Sequence, residues 1–454
     1  MTRIGLCFLI LLAACTISDD DYGDGAGDGD GAGAADAAPD FEAPAASEDW
    51  TRDLLSTGIE LDIAGHAGQA TIAIAASDST GASFEIGDLE IDGVKDLEEH
   101  ELDFDAHDGQ LDVGVPAAGD TATIVIGYHF QDHDAFDGWM PGQGVTFLWP
   151  YFCGNLYPCK SDPADGQSFT MAVGGISEGV AVYPENIPAD APTYMPAIAV
   201  ADFTEVELGT TAAGTQLSVW HLPGAQQAED AAAGTAHLVD VFDFYERTYG
   251  PYTFGSKAGT VSADWGGGDY GGMEHHPYWH VSSGSLYSEE VNAHEAAHGW
   301  FGNGVRIACW EDFVLSEGLA TYLAAHALEQ SGVNIWQDYE CGLKYTCQAA
   351  NNTVALPDTC NSIDILNDPL WSLVPYMKGA YFLKTIGRRI GAAKLDESLA
   401  TFYQDNVGKA ATMEGLIDQI KADNPDQAPF IAAQAEKWLR QLRCPVKVST
   451  LCTN

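Results

Sequence analysis

Two histidines four residues apart, with a glutamate directly after the first, stand in the stretch Asn292-Ala293-His294-Glu295-Ala296-Ala297-His298. On a helix, His294 and His298 lie one turn apart on one face, where two imidazoles can hold a single metal ion. Glu295 sits beside the first imidazole, where it can reach a water that attacks a substrate. Ser288, Glu289 and Glu290 make a good helix start: a capping hydroxyl, then two acids near the positive end of the dipole. The same pattern also suits two histidines on the face of an ordinary amphipathic helix, so what surrounds it has to decide.

A catalytic zinc needs a third protein ligand and one open position. A second helix is expected to begin near Asp312, in the stretch WEDFVLSEGLATYLAAH, and Glu317 lies in its first turns. Between His298 and Glu317 there are 317 − 298 − 1 = 18 residues, enough for a turn and a second helix packed back on the first. Glu317 could equally be a surface carboxylate, but its neighbours Leu315 and Leu319 favour a buried, ligand-like setting.

Further motifs in chain order give the pattern a specific resemblance. Gly271-Gly272-Met273-Glu274-His275 precedes the histidines, Trp300-Phe301-Gly302-Asn303 follows them, and Ser316-Glu317-Gly318 carries the third acid. Tyr376-Met377-Lys378-Gly379 lies downstream, Tyr157-Pro158-Cys159-Lys160-Ser161-Asp162-Pro163 upstream, and 191–200 (APTYMPAIAV) between. Together they resemble zinc aminopeptidases of the aminopeptidase N and leukotriene-hydrolase type, from about residue 140 to about 445. In that family HExxH, eighteen residues and a glutamate accompany the strings GxMEN and YxKG. The resemblance implies one zinc per chain on His294, His298 and Glu317, with Glu295 taking a proton from the attacking water and passing it to the leaving amine. It implies that Tyr376 donates a hydrogen bond to the oxyanion. Gly271, Gly272, Met273 and Glu274 would form a strand edge for the peptide, with Glu274 receiving the substrate's α-ammonium.

Three departures accompany the match. His275 stands where the family has Asn. Trp149 stands nine residues before Pro158, where the family usually has a Glu or Gln that helps grip the amine; its ring could instead hold the cation or an apolar first side chain. The chain also ends soon after Trp438-Leu439-Arg440, near the family's catalytic-domain boundary, so a compact form lacking the C-terminal helical domain is expected. The implied function is hydrolysis of the N-terminal peptide bond of peptides. The alternatives are a zinc endopeptidase with weakened amine recognition, or a peptide-binding protein on the same fold that has lost catalysis.

The elements that position these residues divide in two. Residues 49–205 carry short alternating runs such as Ile59-Glu60-Leu61-Asp62-Ile63 and Thr123-Ile124-Val125-Ile126, punctuated by Gly, Asp and Pro, which predicts an antiparallel β domain. Residues 206–454 read as a helix-rich, thermolysin-like catalytic domain. Its helices are predicted over 228–249, 288–301, 313–330, 376–390, 394–405, 412–422 and 427–442, with strands near 259–263 and 272–275. The fold class is α+β.

The chain has 454 residues, 46% hydrophobic and 10% aromatic, which suits two or three globular domains. Residues 1–14 (MTRIGLCFLILLAA) read as an export signal, too short for a membrane span, and Leu12-Ala13-Ala14-Cys15 resembles a bacterial lipobox. Cys15 is then the lipidated residue, and by resemblance to Gram-negative lipoproteins Thr16, rather than Asp, after it implies the outer membrane, on the periplasmic or extracellular side. Residues 15–48 are rich in Gly, Ala and Asp and read as a solvated acidic tether. Lys plus Arg is 19 and Asp plus Glu is 67, a net charge of −48, which argues against nucleic acid or anionic lipid as a partner surface; the charge identifies no substrate, and peptides are the substrates that the resemblance implies. Of ten cysteines, Cys7 lies in the leader and Cys15 is the lipid site, leaving 10 − 2 = 8 for disulfides. Cys153/Cys159 and Cys444/Cys452 are the expected local bridges, with the pairing of the middle four open.

Overall fold

A computed structural model describes residues 41–115, 121–265, 271–349, 353–361 and 363–453. The predicted leader, Cys15 and the acidic segment as far as residue 40 lie outside the described residues. The described residues from Ala43 onward form one compact unit, which contains both globular domains.

The N-terminal domain is built on a six-stranded sheet in the order Asn186–Ala191, Gln167–Gly174, Leu54–Asp62, Ala67–Ile74, Ala122–His129, Glu90–Asp96. Alternation drives it: Ile59, Leu61, Ile72, Ile74, Ile124, Ile126 and Tyr128 are all buried, while Glu60 and Asp62 between them face solvent. The expectation of an antiparallel domain needs one correction. Leu54–Asp62 pairs in parallel with Gln167–Gly174, which a long intervening connection permits.

The C-terminal part opens with a mixed five-stranded sheet in the order Thr204–Thr210, Gln216–His221, Lys257–Ala263, Tyr278–Ser282, Gly272–Met273. Helices α1 (Ala225–Gly234) and α2 (Leu238–Tyr249) make the crossover between two of its parallel strands. The sequence predicts one long helix here. The break falls after Gly234, where a Cβ would lie 1.8 Å from the Leu286 carbonyl oxygen, and Thr235 turns its hydroxyl back onto the Ala231 carbonyl at 2.7 Å. Among the described residues, α3 (Glu289–Ala297) is followed by α4 (Leu319–Gln330), α5 (Trp336–Gln348), α6 (Leu373–Ile390), α7 (Ala392–Asn406), α8 (Met413–Asp423) and α9 (Ala428–Leu439).

The disulfides are Cys153–Cys159, Cys309–Cys360, Cys341–Cys452 and Cys347–Cys444. The expected Cys444/Cys452 bridge is therefore wrong. Both of those cysteines reach back to α5, whose Cys341 and Cys347 anchor the C-terminal segment in two places.

The two domains meet through specific bonds. The Tyr151 hydroxyl donates to the Ile363 carbonyl at 2.9 Å and accepts from the Ile365 amide at 2.8 Å. The Tyr194 hydroxyl donates to Asn303 Oδ1 at 2.8 Å.

Candidate active site

Helix α3 begins where its sequence says it should. Ser288 Oγ accepts from the Val291 amide at 3.3 Å, with Glu289 and Glu290 in the first turn. One turn further, His294, Glu295 and His298 are all buried. The chain then reverses and presents Glu317 not from a regular α-helix but from a single π-turn, Val314–Gly318, just ahead of α4. His294 Nε2 lies 3.0 Å from Glu317 Oε2 and 3.1 Å from His298 Nε2, and His298 Nε2 lies 3.5 Å from the same carboxylate oxygen.

This cluster fits a metal ion. The His298 Nδ1–H donates to the Phe301 carbonyl at 3.1 Å, which fixes the tautomer and leaves the Nε2 lone pair aimed at the cluster. Gly302 makes room for that ring: with φ +109°, it would carry a Cβ only 2.6 Å from His298 Nδ1. Two imidazoles and one carboxylate, their ligand atoms all within 4.8 Å of one another and all buried, are a catalytic zinc set. Burial alone would raise the Glu317 carboxyl, but the two imidazoles outweigh it and hold it down at about 2, ionised as a ligand must be.

Glu295 points across the cluster to the neighbouring strand edge. Burial, with the negative fields of Glu274 and Glu317 added and that of His298 opposing, pushes its carboxyl well above the usual range. Gly272 leaves space for it, since a Cβ there would sit 2.4 Å from Glu295 Oε1. Glu274 is buried beyond it, also raised by burial, and its ligand oxygen, one from Glu295 and a nitrogen of His298 all lie within 4.8 Å. Asn303 Nδ2 donates to the Glu274 carbonyl at 2.6 Å and ties this loop to the segment after α3.

Tyr376 arrives from the first turn of α6. Its ring stacks on His294 at 5.9 Å and meets Phe313 edge-on at 6.0 Å. Burial and then the nearby carboxylates raise its phenol well above the ordinary value, so it stays a donor. Two glycines set its approach. A Cβ on Gly379 would lie 2.6 Å from the Gly318 Cα, so α6 can cross the π-turn closely only because both positions lack side chains.

Gly271, Gly272, Met273, Glu274 and Trp149 line the same cavity of about 350 Å³ as the three donors, Glu295 and Tyr376. Among the described residues, Gly272–Met273 is an edge strand, paired on one side only, with Tyr278–Ser282. Trp149 brings no charge. It packs against Trp310 at 5.7 Å and Trp371 at 5.4 Å and makes an aromatic wall. His275 does not line the cavity: it turns beneath the strand, with its Nδ1 3.3 Å from that of His280. His275 therefore contributes nothing to the cavity wall.

Sequence reasoning missed several contributors. His276 Nε2–H donates to the Glu295 carbonyl at 2.8 Å while its Nδ1 accepts from the Tyr252 hydroxyl at 2.8 Å, gripping α3 at the residue of interest. A polar ring between His275 and Pro277 was the available signal. Glu290, Phe313 and Trp371 also line the cavity, and only the fold brings them there.

Residues 275–438 match the family profile described as the Peptidase family M1 domain. That stretch, 438 − 275 + 1 = 164 of the 454 residues, is similar to the M1 peptidase domain. The matched stretch holds the three donors, Glu295 and Tyr376, and begins just after Glu274. Among curated proteins, the chain is 26% identical over 278 residues to leucine aminopeptidase 2-1 of Meyerozyma guilliermondii, covering 55% of this chain and 43% of that protein. It is 26% identical over 342 residues to aminopeptidase Ey of Gallus gallus, covering 65% and 35%. It thus spans less than half the length of these relatives. Among solved structures, an M1 zinc metallopeptidase from Deinococcus radiodurans superposes with TM-score 0.72 at 16% identity, covering 87% of this chain and 95% of that one. Leukotriene A4 hydrolase from Saccharomyces cerevisiae gives TM-score 0.72 at 18% identity, covering 88% and 70%. The M1 fold, an N-terminal β-rich domain followed by a helical one, is shared with both.

Proposed function

We propose that this chain is a zinc-dependent aminopeptidase that removes the first residue of peptides. One observation carries the reading: a buried carboxylate, Glu274, closes the cavity beside the three metal donors. In a peptide the α-amine nitrogen and its own carbonyl carbon are only about 2.5 Å apart. An acceptor for that amine must therefore lie within a few ångströms of the metal, where Glu274, Glu295 and His298 converge within 4.8 Å. An acid at that distance fixes the first peptide bond, and no later one, over the donors.

His294, His298 and Glu317 would hold the zinc, which supplies a Lewis acid for the scissile carbonyl and an acidified water. Glu295, buried beside the donors against Gly272, takes the proton of the attacking water and delivers it to the leaving nitrogen. Tyr376, kept protonated by its surroundings, donates to the oxygen that becomes negative. Gly272–Met273 pairs with the peptide backbone, and the ring of Trp149 offers an apolar face to the first side chain and a π-face to the ammonium. An apolar first residue is the preferred one.

The protein is exported and held at the outer membrane by a lipid on Cys15. The four disulfides suit an oxidising compartment and support export. In the native host it should partition into detergent, and Cys15→Ser should release it to the soluble fraction. A soluble wild-type protein refutes the anchor.

The activity is tested with matched peptides bearing free or acetylated N-termini, with products identified by mass. Single-residue release from free peptides only is expected. Internal cleavage of acetylated and free peptides at similar rates would refute the assignment and favour an endopeptidase.

A further inference from the structure

Two elements run side by side along the cavity and set an order within it. A Cβ built on Gly271 would lie 3.7 Å from Val291 Cγ2, and one on Gly272 2.4 Å from Glu295 Oε1. Glu274 reaches His298 and Glu295. From the amine end outward the cavity therefore passes Glu274 with His298, then Gly272 with Glu295, then Gly271 with Val291. A peptide whose amine rests on Glu274 and whose first bond lies over the donors must send its second residue past Gly271 and Val291. The side chain waiting there is Glu290, in the first turn of α3.

Glu290 has no part in the chemistry above. It lines the cavity and is half-buried, and its Oε1 accepts from the Tyr339 hydroxyl at 2.9 Å. Tyr339 is itself buried on α5, a helix pinned by two disulfides, so the carboxylate is held rather than free to swing. A carboxylate has capacity for several hydrogen bonds, so one from Tyr339 leaves room for a cation. No Lys or Arg is among the described residues lining the cavity, so nothing there competes to neutralise it.

We propose that Glu290, positioned by Tyr339, selects substrates with a basic second residue, the first residue of the released fragment. This rests on the aminopeptidase reading and names its substrate class: peptides with an apolar first and a Lys or Arg second residue.

The test compares Leu-Lys-Ala with Leu-Leu-Ala on the full-length zinc protein. The wild-type ratio of kcat/KM should favour Lys about five- to tenfold at low salt and shrink as salt is added, as a half-buried charge pair requires. Glu290→Gln should bring the ratio to near one, and Tyr339→Phe should lower it part of the way. A wild-type ratio at or below one, or a ratio that survives Glu290→Gln, overturns the proposal. If neither peptide is cleaved, the aminopeptidase reading fails on its own, and binding decides the fate of Glu290. Calorimetry of the same two peptides on a Glu295→Gln background should show tighter binding of Leu-Lys-Ala, lost when Glu290→Gln is added. Equal affinities, or no binding of either peptide, overturn the selection.

Discussion

Replacing Gly272 with alanine exchanges a hydrogen for a methyl group on the edge strand, and the structure says where that carbon goes. It would lie 2.4 Å from Glu295 Oε1, 2.6 Å from Cγ and 2.7 Å from Cδ. Ordinary contact begins near 3.4 Å, so the carboxyl must move by 3.4 − 2.4 = 1.0 Å. The backbone stays put, because Gly272 has no positive φ that alanine would strain. A displacement of about 1 Å in a positioned catalytic group costs on the order of a hundredfold in rate, or about 2.7 kcal/mol in the barrier. The zinc ligands are not touched, and a strand Gly→Ala change is neutral to mildly stabilising through the unfolded chain. Gly272→Ala should therefore lose about a hundredfold in kcat on leucine p-nitroanilide, with zinc content near one per chain and an unchanged Tm. A variant that keeps kcat within twofold would refute the placement of Glu295 as the proton-transfer group against this strand. A variant that loses zinc would show that the clash is relieved through His294 instead.

Gly379→Ala should lower Tm by several degrees, at a cost of about 1–3 kcal/mol, because its Cβ meets the Gly318 backbone at 2.6 Å and backbone cannot yield as a side-chain tip can; calorimetry checks it. The paired change Cys347→Ser with Cys444→Ser opens a bridge nested inside Cys341–Cys452, so the loop it closes is (347 − 341) + (452 − 444) = 14 residues, and should cost about 3 kcal/mol in a denaturant titration, against about 2 kcal/mol for the Cys153–Cys159 bridge spanning 6. Glu274→Ala should raise KM for free peptides tenfold or more, with a smaller change in kcat, and weaken discrimination against acetylated peptides in steady-state assays.

How much was legible in the sequence depended on whether a residue's role is local. The spacing of His294, Glu295 and His298 needs only one helix, and the cap at Ser288 marks its start. Glu317 was reachable because eighteen residues fit a reversal, but the π-turn that aims it was not, since nothing in Val314-Leu315-Ser316-Glu317-Gly318 alone distinguishes it from an α-turn. The glycines at 318 and 379 looked like motif letters, and only the crossing of two distant segments shows them as a contact. Helix α5 was missed although Trp336, Tyr339, Leu343 and Thr346, its buried positions, follow helical spacing. Gly342, two cysteines and a threonine hid it by propensity. That miss carried the disulfide error with it, because α5 supplies both partners of the C-terminal cysteines. Glu290 read only as a helix-start acid, and its place in the cavity comes from the strand that runs beside it.

The central claim is that one metal ion on His294, His298 and Glu317 drives the chemistry. The most direct test is a titration of chelator-stripped protein with zinc, with bound metal and turnover of leucine p-nitroanilide followed together. The account predicts that turnover rises linearly to one zinc per chain and then stops rising, and that Glu317→Ala shows weak zinc retention and little turnover across the same range. Full turnover in stripped protein, or a tightly held equivalent of zinc in Glu317→Ala, would contradict it.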